Sequence, residues 1–338
     1  MKNRHSLFQL IMAFSLLFPS LYVQADAFDT SLLGENSRWA IDASARVSRN
    51  TQSKNNANVF ALGLDVHKVF SGSNRDIGTL VFQPYLVKLN NVKSPSFYFD
   101  DGDDTELTWR IANFNYTALT QGKLNIRLGH FEIPYGLEYQ VDTNGTLRQL
   151  TFGDRGIKAD WGLSVNGIFP FLEYEIALTR GSGNEISSTH NPHIFSGRIG
   201  TPSQKNLTGG LSWFYGDVLT EAGVTERKKL GIDASYFLYQ WQFMFESSIG
   251  QTAGNNTRNS FAEVSWMNAK EQLKSYLQIG YQDIEQIDQT DSASYWVAGV
   301  QWQNTNGLDI SAQYKHKLNA SPTLNTDPNL SIQLRYRL

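Results

Sequence analysis

The side chains able to do chemistry in this chain are charges, with no nucleophile in a catalytic setting. The sequence of 338 residues contains no cysteine, which excludes thiol catalysis, disulfide frameworks and cysteine-ligated metals. His190 and His193 stand near Ser187 and Asn191, but no Gly-x-Ser-x-Gly elbow and no His-Glu-x-x-His pattern accompanies them. No enzyme and no catalytic residue is expected. Asp100, Asp101, Asp103, Asp104 and Glu106 crowd around Gly102, and carboxylates at that density suit Ca²⁺. Their spacing departs from the twelve-residue calcium loop, so the expectation is a solvated acidic tip, with no metal and no cofactor. The 29 bases against 32 acids leave no positive field for a nucleic-acid backbone.

The elements that position these charges are strands. The chain opens with Lys2, Arg4 and His5, an apolar run from Leu7 to Phe18, and Val23-Gln24-Ala25. That order predicts a secretory signal peptide over 1–25, its run of about 12 residues being shorter than the roughly 20 a spanning helix needs. From there period two dominates. Ile157, Ala159, Trp161, Leu163 and Val165 alternate with Lys158, Asp160, Gly162, Ser164 and Asn166, and Ile41, Ala43, Ala45 and Val47 alternate with Asp42, Ser44 and Arg46. One face is apolar and the other polar, as in strands with lipid on one side and water on the other. Runs of this kind centre near residues 42, 64, 83, 111, 127, 161, 175, 197, 211, 234, 245, 264, 277, 299, 312 and 334.

About sixteen strands predict an all-β, antiparallel transmembrane barrel over 26–338. Connections sort by side: short turns such as Phe169-Pro170 and Tyr239-Gln240 against longer polar stretches such as Asn90 to Thr105, Glu132 to Asp154, Gly216 to Arg227 and Gln251 to Asn259. Short periplasmic turns and longer external loops are the habit of outer-membrane barrels. Trp39, Trp109, Phe131, Trp213, Tyr215, Trp241, Tyr281 and Trp302 fall toward strand ends and are expected to form girdles at the lipid boundaries.

The stretch Leu124 to Glu138, with Gly129, Phe131, Pro134 and Gly136 where the chain leaves the wall, resembles a segment of the phosphate-selective porin O and P family. The resemblance covers 124–138 and implies a bacterial outer-membrane porin whose following loop enters the lumen. It also implies a basic pore, whereas the inward positions here carry bases such as Arg110, Arg127 and Lys158 in near balance with acids such as Asp160, Glu173 and Glu175. The long connection 132–154 is the expected inward-folding loop. Its Glu138, Asp142, Arg148 and Asp154, set against Arg110, Arg127, Lys158 and Asp160 of the wall, would give a constriction with a transverse field.

The expected function is passive diffusion of small hydrophilic solutes, with anions such as phosphate in view. The alternative is a structural or adhesion barrel with a plugged lumen and partner-binding external loops. Expected partners are outer-membrane lipid, lipopolysaccharide, the solutes and two further copies in a homotrimer. Arginine at Leu163 is expected to be damaging, and at Ser164 tolerated.

Overall fold

The computed structural model describes residues 34–73, 75–91, 105–120, 122–150, 155–186, 190–220, 223–285, 289–321, 324 and 328–338. The expected signal peptide, Asp100 to Asp104, Asp154 and Ser187 lie outside the described residues. Alternating sequences become sixteen strands: β1 (Ser37–Asn50), β2 (Asn56–Ser71), β3 (Asp76–Asn90), β4 (Thr105–Tyr116), β5 (Asn125–Glu132), β6 (Ala159–Ile168), β7 (Glu173–Thr179), β8 (Ile194–Gly200), β9 (Leu207–Thr220), β10 (Gly223–Leu238), β11 (Trp241–Thr252), β12 (Asn255–Met267), β13 (Leu273–Glu285), β14 (Thr290–Gln303), β15 (Leu308–Ala320) and β16 (Asn329–Arg337). A short helix, α1 (Gly136–Gln140), lies between β5 and β6. All sixteen expected centres fall inside these strands.

Each strand pairs antiparallel with the next, and β16 pairs with β1 to close the barrel. At that seam Ala45 faces Leu334 and Val47 faces Ile332, while Arg46 faces Gln333 and Ser48 faces Ser331. The two parities carry different chemistry all round. Leu62, Leu128, Leu211, Ile232 and Ile279 are exposed on the outside, whereas Asp42, Ser164, Ser212, Asp233 and Glu263 are buried within. Closure leaves no free sheet edge, and every wall strand satisfies its backbone through its two neighbours. Beyond β16, Leu338 and Ile41 exchange both backbone hydrogen bonds, at 2.9 and 3.1 Å.

Three expectations are corrected. Gln251 to Asn259 is no long loop: β11 and β12 run on to Thr252 and from Asn255, joined at Ala253-Gly254 with φ of +50° and +79°. Both central residues in the left-handed region make a tight hairpin, and the polar composition that suggested a loop belongs to the strand ends. Gly216 to Arg227 is likewise mostly strand. Second, β6 begins only at Ala159, so the connection from β5 spans 133–158, and Ile157 is buried inside the barrel rather than facing outward. Third, Phe131 belongs to no girdle. It pairs with inward-facing Asp160 and is buried, because β5 keeps its odd residues on the lumen side.

Candidate functional site inside the barrel

The connection 133–158 occupies the lumen, and local sequence explains its exit. Gly129 has φ +127°, and a Cβ there would lie 2.2 Å from the Ala112 carbonyl oxygen of β4. The ladder ends with the Ile133 N–H on the Lys158 carbonyl at 2.9 Å, and Pro134 then offers no N–H to continue it. Gly136, at φ +65°, starts α1 with its backbone against Glu246, where a Cβ would stand 2.2 Å from Oε2. Leu137 N–H donates to Glu246 Oε2 at 2.7 Å and Gly136 N–H donates to Ser212 Oγ at 3.0 Å. A five-residue helix has no stability of its own, so these wall side chains hold it.

Apolar landing sites anchor the root of the loop. Ile133, Tyr135 and Ile157 pack with Ile194, Phe214 and Val218 of β8 and β9. Leu137 and Leu150 pack with Met244 and Phe261 of β11 and β12. Each fully buried side chain of this kind contributes about 1.5 to 3 kcal/mol. Sequence reading missed these inward residues. The signal was present where apolar residues occupy both parities, in Trp213-Phe214-Tyr215 and Phe243-Met244-Phe245.

The charged residues singled out by sequence are distributed over several clusters. Glu138 takes Arg155 Nη2 at 3.1 Å and the Leu150 N–H at 3.2 Å, with Lys158 Nζ 3.7 Å away. Lys158 also donates to Thr143 Oγ1 and Asn144 Oδ1, at 3.1 and 3.0 Å. Arg148 grips Glu263 of β12 with Nε at 2.9 Å and Nη2 at 2.6 Å, and Gln278 of β13 donates to the same carboxylate at 2.8 Å. Arg127 lies against Glu175 of β7 at 2.9 Å, and Ser164 and Tyr139 hydrogen-bond that carboxylate too. Burial and then the adjacent Glu175 push the Tyr139 phenol well above its usual range, so it stays a donor. Ser164 therefore sits buried in a filled cluster, and an arginine there has no open lumen to enter. Asp160 turns away to brace another segment, accepting the N–H groups of Gly181 and Gly183.

Arg110 owes its position to a bulge: the register of β3 with β4 shifts between Gln83 and Pro84, opposite Ile111 and Trp109. Its guanidinium stacks 4.1 Å above the Tyr85 ring, donates to the Tyr85 hydroxyl at 2.9 Å and stands 3.7 Å from Asp42. Asp142 is exposed on the loop, within electrostatic reach of His67 and Arg335. On the remaining wall the inward positions of β13 and β15 carry Lys274, Lys315 and Lys317, partly exposed, and Arg46 of β1, also partly exposed, meets the loop tip at the Thr146 carbonyl, 2.9 Å away. Among the described residues no three His, Asp or Glu side chains are grouped to hold a metal.

With this geometry the chain superposes on solved barrels. It matches OmpF of Salmonella typhi, in a complex with daunomycin, at TM-score 0.67 and 12% identity, covering 89% of this chain and 97% of that one. An anion-selective porin from Comamonas acidovorans matches at TM-score 0.60 and 13% identity, with 89% and 99% covered. OmpT, an outer membrane protein of Vibrio cholerae in its trimer form, matches at 0.63 and 9%, with 89% and 99% covered. The fold is the porin barrel. No family model matches the chain, and no curated protein does. At such identities the porin likeness speaks for the fold, and the resemblance of 124–138 to the phosphate-selective family rests on those residues alone. Within this porin barrel, the site is the lumen between the loop 133–158 and the uncovered wall.

Proposed function

We propose that the protein is an outer-membrane channel through which small hydrophilic solutes diffuse, anions in preference to cations. The observation that carries the proposal is a closed barrel with apolar side chains on its outer face and charged ones facing its lumen. Exposed Leu62, Leu128, Leu211 and Ile232, spread over β2, β5, β9 and β10 of the outer wall, suit contact with lipid and lipopolysaccharide and would be costly in water. Sixteen strands leave an aqueous lumen, which the loop narrows.

The preference for anions rests on which charges remain facing the passage. Arg127 is matched by Glu175, and Lys158 by Glu138 and Glu132, so these two contribute little net field. Lys274, Lys315, Lys317 and Arg46 take inward positions at different heights of β13, β15 and β1, partly exposed, while the carboxylates on that side, Asp42, Asp291 and Asp309, are buried against the wall. A narrow passage with low-dielectric walls weights such nearby charges heavily. Phosphate remains the solute named by the 124–138 resemblance, and a homotrimer is part of the same proposal.

The test is conduction by the purified protein in a planar bilayer under a KCl gradient. The expected reversal potential has the sign of chloride preference and moves toward zero when Lys274, Lys315 and Lys317 are all changed to Gln. Folded barrels that insert without conducting would refute the channel. A cation-selective reversal potential would remove the anion clause.

A further inference from the structure

The tip of the loop is held differently from its root. Three consecutive backbone carbonyls are bound by wall side chains at the β1/β16 seam: Asn144 O by Arg335 Nη1 at 3.1 Å, Gly145 O by Gln333 Nε2 at 2.6 Å and Thr146 O by Arg46 Nη2 at 2.9 Å. Gly145 nestles between guanidiniums, since a Cβ on it would lie 2.5 Å from Arg110 Nη2 and 3.1 Å from Arg335 Cζ. Arg46 also donates to Gln333 Oε1 at 2.9 Å, which orients the amide so that its NH₂ faces the tip. The nearby carboxylates are Asp42, bound to Arg335, and Asp142, within electrostatic reach of the same arginine. Among the described residues, three guanidiniums meet two carboxylates here, an excess of positive charge. Peptide oxygens, partial charges only, occupy the donors.

We propose that Arg46, Arg110, Arg335 and Gln333 form a binding cradle for a small oxyanion such as phosphate or a carboxylate, and that the loop tip occludes it by presenting its own carbonyls as stand-ins. Planar guanidinium forks bind oxyanions through paired charge-assisted hydrogen bonds, and they prefer a full negative charge to a peptide dipole. An anion in the lumen therefore competes with residues 144–146 for the same donors. Apparent affinity is reduced by the fraction of time the cradle is covered. The root, fixed by apolar packing and the Arg148 pair with Glu263, stays in place while the tip exchanges.

The proposal deepens the channel reading only in naming what the anion touches, and binding can be measured without conduction. Inorganic phosphate is titrated calorimetrically into the folded, detergent-solubilised barrel. Gly145→Ala, which strains the tip because its φ of +70° disfavours any Cβ, should loosen the seated tip and tighten phosphate binding by up to about tenfold. Adding Arg46→Gln to that variant should undo the gain by a similar factor, about tenfold, because one charge-assisted donor is gone. Equal affinity in wild type and Gly145→Ala, or binding indifferent to Arg46, overturns the cradle even if the channel conducts. Phosphate binding that follows the predicted order in a barrel that does not conduct supports the cradle and counts against the channel alone.

Discussion

Glu263→Gln should loosen the loop without unfolding the barrel. The Arg148 guanidinium and the Glu263 carboxylate are 7% and 0% exposed, so solvent does little to replace the lost charge. Removing one partner of a buried ion pair typically costs about 3 to 5 kcal/mol, because the other charge is left uncompensated. Glutamine also presents an NH₂ group where Arg148 and Gln278 already supply donors. The wall strands keep all their backbone bonds, so the cost falls on the local equilibrium between seated and released 147–150. At 1.4 kcal/mol per tenfold, release should become on the order of a hundredfold to a few thousandfold more frequent. Hydrogen exchange followed by mass spectrometry reads this at the peptide containing Leu150, whose N–H is held by Glu138. Exchange there should accelerate by two to three orders of magnitude while the β9 to β13 peptides stay protected. A paired change, Arg148→Met with Glu263→Met beside Met244 and Phe261, should restore protection, since an apolar replacement of both charges is often neutral or better. Unchanged exchange in Glu263→Gln, or no recovery in the double variant, would show that the ion pair does not seat the loop.

Because the chain has no cysteine, single thiols report topology cleanly. Ser53→Cys, exposed in the turn after β1, should react with an impermeant reagent on intact cells, and Ser73→Cys, in the turn after β2, only after lysis; the reverse pattern would invert the barrel. Leu163→Arg, on the outer face of β6, should cost about 2 to 4 kcal/mol in a refolding titration if it lies near the midplane of the bilayer. Ser164→Arg should be destabilising as well, because it enters the Arg127 and Glu175 cluster, and its free tolerance would contradict that packing. Phe214→Ala removes the centre of one landing site and should cost about 3 to 5 kcal/mol, read as faster exchange of the loop root, with normal protection there counting against apolar anchoring.

Alternation identified the wall because its cause is local: each strand residue chooses lipid or lumen by parity, and a run of five or six states that choice repeatedly. Boundaries were less legible. Ile157 continues the parity of Trp161 and Leu163, yet it precedes the first wall residue of β6, and nothing in its neighbours marks where the ladder begins. Thr257 and Asn259 read as loop because they are polar, although they are the inward positions of a strand. Ion pairs were harder to read for a different reason. Arg127 meets Glu175 across the intervening β6, and Arg148 meets Glu263 across more than a hundred residues of chain, so both depend on register and loop path. The inward charges could be counted from parity, whereas which of them cancel could not.

That distinction changes what the charge balance means. A lumen with equal bases and acids is weakly selective only if every charge faces the passage equally. Here the acids are taken up close to the wall: Glu175 by Arg127, Glu263 by Arg148, Asp233 by Arg198, and Glu138 by Arg155 and Lys158. The same pairing that neutralises the β5 to β12 side also anchors the loop on it. Under the proposed reading, folding the loop against that side leaves the β13 to β1 side to set the field, where Lys274, Lys315, Lys317 and Arg46 are partly exposed and Asp42, Asp291 and Asp309 are buried. The loop tip meets this basic side through carbonyl oxygens, which screen its charge without cancelling it. In the proposed channel the long connection after β5 thus acts twice: it narrows the lumen by its volume and makes a balanced wall asymmetric by its choice of partners.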